Sequence, residues 1–204
     1  MLKIHTLPLG DYQTNCYMVW DDDSTSCAVI DPGYDPQTVL NTAARLGLTI
    51  DAILLTHGHF DHVGGVKELV EATGCKLWMS QSDWSQPKNP VTAYLYPIAN
   101  CDYTEVWFCE EGETLSAGGL ELTVMATPGH TPGSVCFLCG DALFSGDTLF
   151  AGSCGRTDLP GGSWATIQAS LRRLAALEKD YTVYPGHGES STLAREKRYN
   201  PYLR

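Results

Sequence analysis

The placement of its histidines restricts what this 204-residue chain can fold into. Five of the six lie in three short segments, and a fourth segment adds an aspartate. In chain order these segments are THGHFDH (56–62), TPGHT (127–131), SGDT (145–148) and YPGHG (184–188). Their side chains can act together only if the fold brings loops from both halves of the chain to one place.

The first segment places four candidate metal ligands, His57, His59, Asp61 and His62, within six residues. It follows the short apolar run DAILLT, which is typical of a buried strand. On a loop after that strand, alternation directs His57 and His59 to the same side. Asp61 and His62 then precede a segment with apolar residues at helical spacing, which predicts a helix over 63–73. One pair of ligands is therefore expected to serve one metal, and the next pair its neighbour.

Each later candidate also stands just past a predicted strand. His130 follows LELTVMAT, Asp147 follows ALFSG and His187 follows YTVYP. Glycine and proline flank these positions and permit tight turns. Loops at strand ends are where a rigid scaffold presents reactive groups. For any one of these segments alone, an ordinary turn remains an alternative interpretation.

Imidazole and carboxylate ligands without thiolate suit zinc, iron or manganese. We expect two divalent metal ions, zinc first and iron or manganese as alternatives. The predicted ligand set is His57, His59 and His130 for one ion, Asp61, His62 and His187 for the other, with Asp147 bridging. A water between two cations is acidified from a pKa of 15.7 to about 7, so a bridging hydroxide is the expected nucleophile. Asp61 is the predicted catalytic residue that orients this hydroxide and accepts its proton.

Charge and length narrow the class of protein. The net charge of −11 and pI near 4.8 argue against nucleic acid or an anionic membrane as partner. No run approaches the roughly 20 apolar residues of a membrane span, and the start lacks the pattern of a secretory signal. We therefore expect a cytoplasmic protein that acts on a small molecule, as a monomer or homodimer. At 204 residues, a single domain spanning 1–204 is predicted.

Eight cysteines are expected to be reduced thiols, because the chain shows no export signal. Cys136 and Cys139 form a C-x-x-C pair, but they lie in SVCFLCG, which is typical of a buried strand. A zinc knuckle would need a second pair at matching spacing, and the sequence has none. A redox or zinc role for the pair is the alternative interpretation.

The order of predicted elements favours an α/β fold with two sheets packed face to face and helices outside. Each half runs through strands, then histidine-bearing loops, then a helix. Helices are predicted over 36–46, with Asp35 as cap and Gly47 as terminator, and over 163–179, with Ser163 as cap. The C-terminal Arg195, Lys197 and Arg198 are interpreted as a solvated basic face.

The stretch 83–107 combines three prolines with two tryptophans and three tyrosines, Trp84, Tyr94, Tyr96, Tyr103 and Trp107. It is too irregular for a long helix or paired strands. We predict a partly ordered flap over the site or a homodimer contact, with ordinary surface packing as the alternative.

In order and spacing, THGHFDH, TPGHT, SGDTLF and YPGHG resemble the metallo-β-lactamase superfamily. GDTLFAGSCGRTDLPGG (146–162) is similar to glyoxalase II, the hydroxyacylglutathione hydrolases, especially their short single-domain bacterial forms. The resemblance implies an αββα sandwich, a binuclear site at the sheet edges and hydrolysis of thioesters such as S-lactoylglutathione. The seven family ligands map onto the seven residues predicted above. Asp31 matches a position that lies near the site in many family members. Arg156 matches a position where the family often has a basic residue that binds a substrate carboxylate. Pairing of Arg156 with Asp158 is the alternative.

Relatives with the same ligands differ in chemistry. Longer glyoxalase II enzymes carry a C-terminal helical domain that helps to hold glutathione, whereas only 17 residues follow His187 here. Persulfide dioxygenases are similar at GCGRTD-like segments and use one iron and oxygen. A lactonase is a further alternative. A β-lactamase is disfavoured, because the subclass of the superfamily that is most specialised in β-lactam hydrolysis has a cysteine ligand at the position that Asp147 resembles. In a non-enzymatic metal scaffold we would expect at least one of the seven ligands to be lost, whereas all seven are present in this sequence.

Overall fold

Two six-stranded sheets form the centre of the computed structural model, which describes residues 1–87, 89–100 and 105–203. The first sheet pairs, in chain order, β1 (Leu2–Leu9), β2 (Thr14–Asp21), β3 (Ser26–Ile30), β4 (Thr49–Leu54), β5 (Lys76–Met79) and β6 (Val106–Phe108). In this sheet β2 is antiparallel to both of its neighbours, β1 and β3, and β3 to β6 run parallel.

The second sheet is built from the other half of the chain. Its strands are β7 (Thr114–Ala117), β8 (Leu120–Ala126), β9 (Val135–Cys139), β10 (Ala142–Gly146), β13 (Thr182–Pro185) and β14 (Ser191–Thr192). They are arranged in the order β14-β13-β10-β9-β8-β7. Between β10 and β13 a small hairpin pairs β11 (Leu149–Phe150) with β12 (Ser153–Cys154). Within this sheet, β10 and β13 are the parallel pair.

The helices cover the outer faces of the two sheets or connect their edges. They are α1 (Pro36–Leu46), α2 (Phe60–Val63), α3 (Val66–Thr73), α4 (Gln81–Trp84), α5 (Pro90–Leu95), α6 (Trp164–Ala175) and α7 (Leu193–Tyr199), with a 3₁₀ turn at Pro97–Asn100. Within the described ranges, none of them combines the length and apolar character that crossing a bilayer requires.

Three apolar clusters define the layers. Between the sheets, Tyr17, Ile30 and Phe144 belong to one cluster. On the outer face of the first sheet, α1 and α3 pack against strand residues such as Val29. On the outer face of the second, α6 packs against residues such as Leu143. Each fully buried side chain of this size contributes roughly 1.5–3 kcal/mol. The predicted αββα sandwich is confirmed.

The predicted caps of the two long helices are confirmed. Asp35 accepts a hydrogen bond from the Thr38 amide at the start of α1, and Gly47 ends that helix in the left-handed region. Ser163 accepts one from the Thr166 amide at the start of α6. The second helix ends at Ala175 rather than at residue 179.

The predicted helix over 63–73 is divided into α2 and α3 by Gly64 and Gly65. A Cβ on Gly64 would lie 2.8 Å from the ring of Tyr34, and one on Gly65 would lie 2.7 Å from the Gly33 carbonyl oxygen. The two glycines therefore let the turn after β3 approach closely. As a result Asp61 and His62 stand on the short helix α2, separate from α3.

The seven described cysteines are free thiols, as predicted, and Cys101 lies outside the described residues. Cys136 and Cys139 are three residues apart on β9, so they point to opposite faces. Cys136 packs beneath α6, whereas Cys139 belongs to the cluster between the sheets. The alternative of a redox or zinc role for this pair is therefore wrong.

Part of the predicted flap also lies outside the described residues, namely Lys88 and residues 101–104, which include Tyr103. The remainder forms α4, α5, the 3₁₀ turn and the start of β6, and β6 pairs with β5. Val106 and Trp107, at the end of this stretch, are therefore paired, and the described part before them contains no long helix and no strand. The flap and the homodimer contact stay predictions.

Candidate metal centre

The structure brings all seven predicted ligands to one edge of the sandwich. His57 and His59 follow β4, and Asp61 and His62 lie on α2. His130 follows β8, while Asp147 and His187 follow β10 and β13, which are neighbours in the second sheet. Loops from both sheets therefore meet where β4, β10 and β13 end.

Three buried imidazoles form what we call the first ligand group, His57, His59 and His130. Nδ1 of His59 lies 2.9 Å from Nε2 of His130. The candidate donor atoms of the three residues all lie within 4.8 Å of one another. They are 1%, 3% and 3% exposed, respectively. Such a trio can hold one metal ion and leave coordination positions open.

Asp61, His62 and His187 form the second ligand group. Nε2 of His187 lies 3.1 Å from Oδ2 of Asp61 and 3.3 Å from Nε2 of His62. His62 is fully buried, but the side chain of His187 is 29% exposed. This group therefore combines a carboxylate with imidazoles and opens towards solvent.

Asp147 lies between the two groups. Its Oδ2 is 3.5 Å from Nε2 of His130, and its Oδ1 is 3.4 Å from Nε2 of His62. One carboxylate thus directs an oxygen to each ligand group. A Cβ on Gly186 would lie 2.2 Å from Oδ1 of Asp147 and 2.6 Å from Cε1 of His62, so a side chain at position 186 would displace these residues.

Hydrogen bonds made by Nδ1 orient four of the five imidazoles. The partners are Thr56 Oγ1 for His57 at 3.1 Å, Asp31 Oδ2 for His62 at 2.9 Å, the Arg156 carbonyl for His130 at 2.8 Å and the Tyr12 carbonyl for His187 at 3.2 Å. Each contact engages Nδ1 and leaves Nε2 to face the centre. Metal-binding histidines in general have their second nitrogen held in this way.

Unpartnered polar atoms indicate that this donor set fits metal ions. Among the described residues, Nε2 of His57, Nε2 of His59 and Oδ1 of Asp147 are buried without a hydrogen-bond partner. Leaving such atoms unsatisfied costs about 1–3 kcal/mol each, and a bound cation would satisfy those that face it. The residues present therefore fit the two predicted ions.

A third possible group contains Asp31 with His57 and His62. Its carboxylate is already engaged, because Oδ1 accepts from the Thr56 amide at 2.8 Å and Oδ2 from the Thr56 hydroxyl at 2.6 Å. Oδ2 also contacts Nδ1 of His62 at 2.9 Å. Asp31 therefore orients histidines of both ligand groups from behind.

The two ligand groups differ in protonation in the absence of metal. Burial lowers the pKa of His57 well below its ordinary value, and burial together with the neighbouring His130 lowers that of His59 to about 3. Burial acts in the same direction on His62, yet the carboxylates of Asp147 and Asp31 raise its pKa. The hydrogen bond to Asp61 likewise raises the pKa of His187 against the effect of burial. In the first group, His57 and His59 are thus held in the neutral form that binds metals.

The sequence analysis did not identify Asp83, a fully buried residue of α4, as part of the site. Its carboxylate accepts hydrogen bonds from the Gly58 amide at 2.8 Å, the Thr131 hydroxyl at 2.8 Å and the Gly133 amide at 2.7 Å. It therefore ties the loop that carries His57 and His59 to the loop that carries His130. An acidic residue inside an aromatic stretch was the one signal that could have pointed to it.

Helix α7 holds the β11–β12 hairpin, another contact that the sequence did not reveal. Glu196 is 1% exposed and accepts from the Gly152 amide at 2.7 Å and from Asn200 Nδ2 at 2.9 Å. Asn200 also donates to the carbonyl oxygens of Phe150 and Ser153. The interpretation of this segment as only a solvated basic face was therefore incomplete, since Arg195 pairs with Glu196 at 2.8 Å.

The ligand groups form the floor of a pocket of about 400 Å³. Its walls include Tyr12, Phe60, Phe150, Leu159 and Arg156. The guanidinium of Arg156 binds Asp158 through two contacts of 2.7 Å, and the side chains are 61% and 67% exposed. Solvent screens an exposed pair of this kind, so it does not bar a substrate carboxylate from replacing Asp158. The pairing of Arg156 with Asp158 is therefore confirmed, and the binding of a substrate carboxylate stays a prediction.

The chain belongs to the metallo-beta-lactamase superfamily, whose family model matches residues 9–187. Hydroxyacylglutathione hydrolase GloC of Haemophilus influenzae is 36% identical over 209 residues, which cover 99% of this chain and 98% of the relative. The structure of TTHA1623 in a di-iron-bound form is similar with a TM-score of 0.84 and 39% identity, covering 98% of this chain and 100% of that one. The BLEG-1 B3 metallo-beta-lactamase is similar with a TM-score of 0.85 and 33% identity, covering 100% and 99%. The predicted superfamily is confirmed.

Proposed function

We propose that this protein is a metal-dependent hydrolase that cleaves thioesters such as S-lactoylglutathione. The observation that carries the proposal is the convergence of two three-residue ligand groups on one carboxylate, Asp147, at the floor of an open pocket. The similarity to a hydroxyacylglutathione hydrolase across nearly the full length of both chains supports the substrate class. Free thiols throughout the described residues are compatible with a cytoplasmic location.

The cofactor of the proposed enzyme is a pair of divalent metal ions. His57, His59 and His130 would hold one, Asp61, His62 and His187 the other, and Asp147 would contact both. Bound ions would supply Lewis acidity to the thioester carbonyl and lower the pKa of water at the site. Zinc is our first assignment, and iron is favoured next because TTHA1623 has a di-iron form.

The chain itself provides proton transfer and substrate orientation. Oδ2 of Asp61 lies 3.1 Å from Nε2 of His187 and accepts from the hydroxyl of Thr14 at 3.4 Å. The hydrogen bond to His187 lowers the pKa of Asp61 although burial opposes this. An ionised carboxylate at this place can accept a proton from the attacking water. Arg156, at the pocket wall, would bind a carboxylate of the substrate.

The test is hydrolysis of S-lactoylglutathione by freshly purified protein, together with its metal content. We expect two metal ions per chain and cleavage that stops when they are removed. His59→Ala should reduce kcat/KM by more than the 10- to 100-fold typical of losing a residue that only supports a ligand. His5→Ala is the matched control, because His5 lies on β1 and is the one histidine of the sequence outside the ligand groups. Full activity in His59→Ala would refute the site.

The same preparation distinguishes the competing activities. Oxygen uptake on glutathione persulfide with one iron per chain and no thioester cleavage would identify a persulfide dioxygenase. Opening of a β-lactam without thioester cleavage would identify a β-lactamase, the activity for which the similar BLEG-1 protein is named. Cleavage of a lactone alone would identify a lactonase.

A further inference from the structure

Three aromatic side chains from distant segments form a continuous surface that begins at the pocket wall, where Tyr12 and Phe60 lie, and extends to Tyr94. Tyr12 lies in the turn between β1 and β2, Phe60 begins α2 and Tyr94 lies on α5. The ring centroids of Tyr12 and Phe60 are 5.2 Å apart, edge to face, and those of Phe60 and Tyr94 are 5.1 Å apart. We call these three residues the aromatic rim.

Two of the three rings remain largely open to solvent. Tyr12 is 55% and Tyr94 is 64% exposed, so neither ring contributes its full area to the core. The Tyr12 backbone is nevertheless fixed, because its carbonyl contacts Nδ1 of His187 at 3.2 Å. Contiguous exposed aromatic surface beside a pocket is typical of a binding site. The rim is thus fixed beside the second ligand group, and the rings of Tyr12 and Tyr94 stay exposed for contact with a ligand.

The pocket walls continue the apolar surface and offer little positive charge. Phe150 and Leu159 line the interior beyond the rim. Arg156 is the only lysine or arginine among the described lining residues, and both of its side-chain contacts are to Asp158. The chain as a whole carries a net charge of −11. A flat apolar group would therefore find more complementary surface here than a group rich in carboxylates.

We propose that the aromatic rim selects thioesters whose acyl group carries a flat, apolar ring one carbon away from the scissile carbonyl, an inference that rests on the proposed thioester hydrolysis. Phe60 lines the pocket together with His59 of the first ligand group and Asp61 of the second, so its ring borders the space in which the reacting bond would lie. On the thiol side, glutathione carries amides within a few bonds of sulfur. The acyl group is the part of the substrate that can present a ring at this distance.

The experiment compares S-mandeloylglutathione with S-lactoylglutathione, two thioesters of the same thiol in which a phenyl ring replaces a methyl group. Each kcat/KM is divided by the rate constant for cleavage of that thioester by hydroxide without enzyme. We expect the mandeloyl thioester to be preferred by about tenfold, since aromatic pairs add favourable free energy beyond that of the buried area. Tyr12→Ala and Tyr94→Ala should each reduce the ratio of the two constants by about two- to tenfold.

Tyr199→Ala is the control for removing an exposed ring, because Tyr199 is 60% exposed on α7 and is neither a pocket-lining residue nor a member of the rim. It should leave the ratio unchanged. Equal efficiency for the two thioesters, or a preference that survives both rim substitutions, overturns the rim while leaving thioester hydrolysis intact. Failure of the wild-type protein to cleave either thioester overturns the proposed function and the rim with it.

Discussion

The first ligand group consists of three buried imidazoles, whereas the second contains a carboxylate and an imidazole that reaches solvent. In the first group His57 is held by Thr56, and Asp83 joins the loops of the other two residues. In the second, the Tyr12 carbonyl contacts His187 at the surface, at 3.2 Å. The first group is therefore preformed and shielded, while the second has more negative charge and easier access.

The two ligand groups are neighbours that both face Asp147. We nevertheless expect them to exchange metal at different rates. Release of an ion requires ligand atoms to be replaced by water or a chelator, and burial limits access to them. Substitutions in and around the two groups test this contrast, and they are ordered here by decreasing effect on activity.

The largest effect is expected when one ligand is removed from either group. His59→Ala and His187→Ala should each reduce the proposed thioester hydrolysis by more than about 100-fold, because the proposal requires both groups. They should differ in metal release. With a colorimetric chelator in excess, His187→Ala should keep one slowly released ion, whereas His59→Ala should release its metal quickly. Equal release rates in the two variants would contradict the proposed difference between the groups.

A smaller effect is expected at Asp31, which supports both groups. Asp31→Asn replaces one carboxylate oxygen by an amide and disturbs the contacts to Thr56 and to Nδ1 of His62. Loss of such a supporting residue typically costs 10- to 100-fold in activity or metal affinity. We expect this decrease in kcat, with metal affinity measured by competition. Asp23→Asn, an exposed change on the β2–β3 turn, should have no effect. Unchanged activity and metal affinity in Asp31→Asn would contradict the inference that Asp31 supports both ligand groups.

The smallest effect on activity is expected at Glu196, which tests whether the first group depends on the β11–β12 hairpin. The carbonyl of Arg156, just beyond this hairpin, contacts His130. Glu196→Gln removes the charge that accepts from the Gly152 amide and from Asn200. The free energy of unfolding of the metal-free protein should fall by about 2 kcal/mol at pH 7, with less than about tenfold loss of activity.

The pH dependence of that effect follows from the pKa of Glu196. Burial alone would raise it, but hydrogen bonds from Ser191, the Gly152 amide and Asn200 lower it below its ordinary value. A depressed folded-state pKa adds stability above the unfolded value of about 4.3, and this stability is lost as the pH falls through the folded value. Urea unfolding should therefore show the wild-type advantage at pH 7 and lose it below about pH 4. Glu178→Gln, at an exposed position, should differ little from wild type at either pH. A constant difference would show that charge is not involved.

The ligand loops were predictable because their signal is local. THGHFDH places four candidates side by side after an apolar strand, and each later ligand follows a strand of its own. Alternation and strand ends then determine which side chains share an edge. The caps Asp35 and Ser163 were equally local, since each bonds an amide three residues away.

The supporting contacts were not predictable because they join segments that are distant in the chain. Asp83 bonds residues 25 and 50 positions away, and Glu196 bonds Gly152 at a separation of 44. The contact between His187 and the Tyr12 carbonyl spans 175 positions. The division between α2 and α3 has the same origin, since Gly64 and Gly65 are required by the turn at Gly33 and Tyr34. Propensity and periodicity do not describe such approaches.

The contacts between α7 and the β11–β12 hairpin support the pocket wall without involving any proposed metal ligand. Metal content and an intact pocket wall are therefore independent properties of this protein. A chain ending at residue 190, from a late stop codon or proteolytic trimming, would keep all seven proposed ligands and lack Glu196 and Asn200. Such a fragment could take up metal and still carry a loosened wall at Phe150 and Ser153. In a preparation of this protein, metal analysis would therefore not detect such shortened molecules, whereas an intact-mass measurement would.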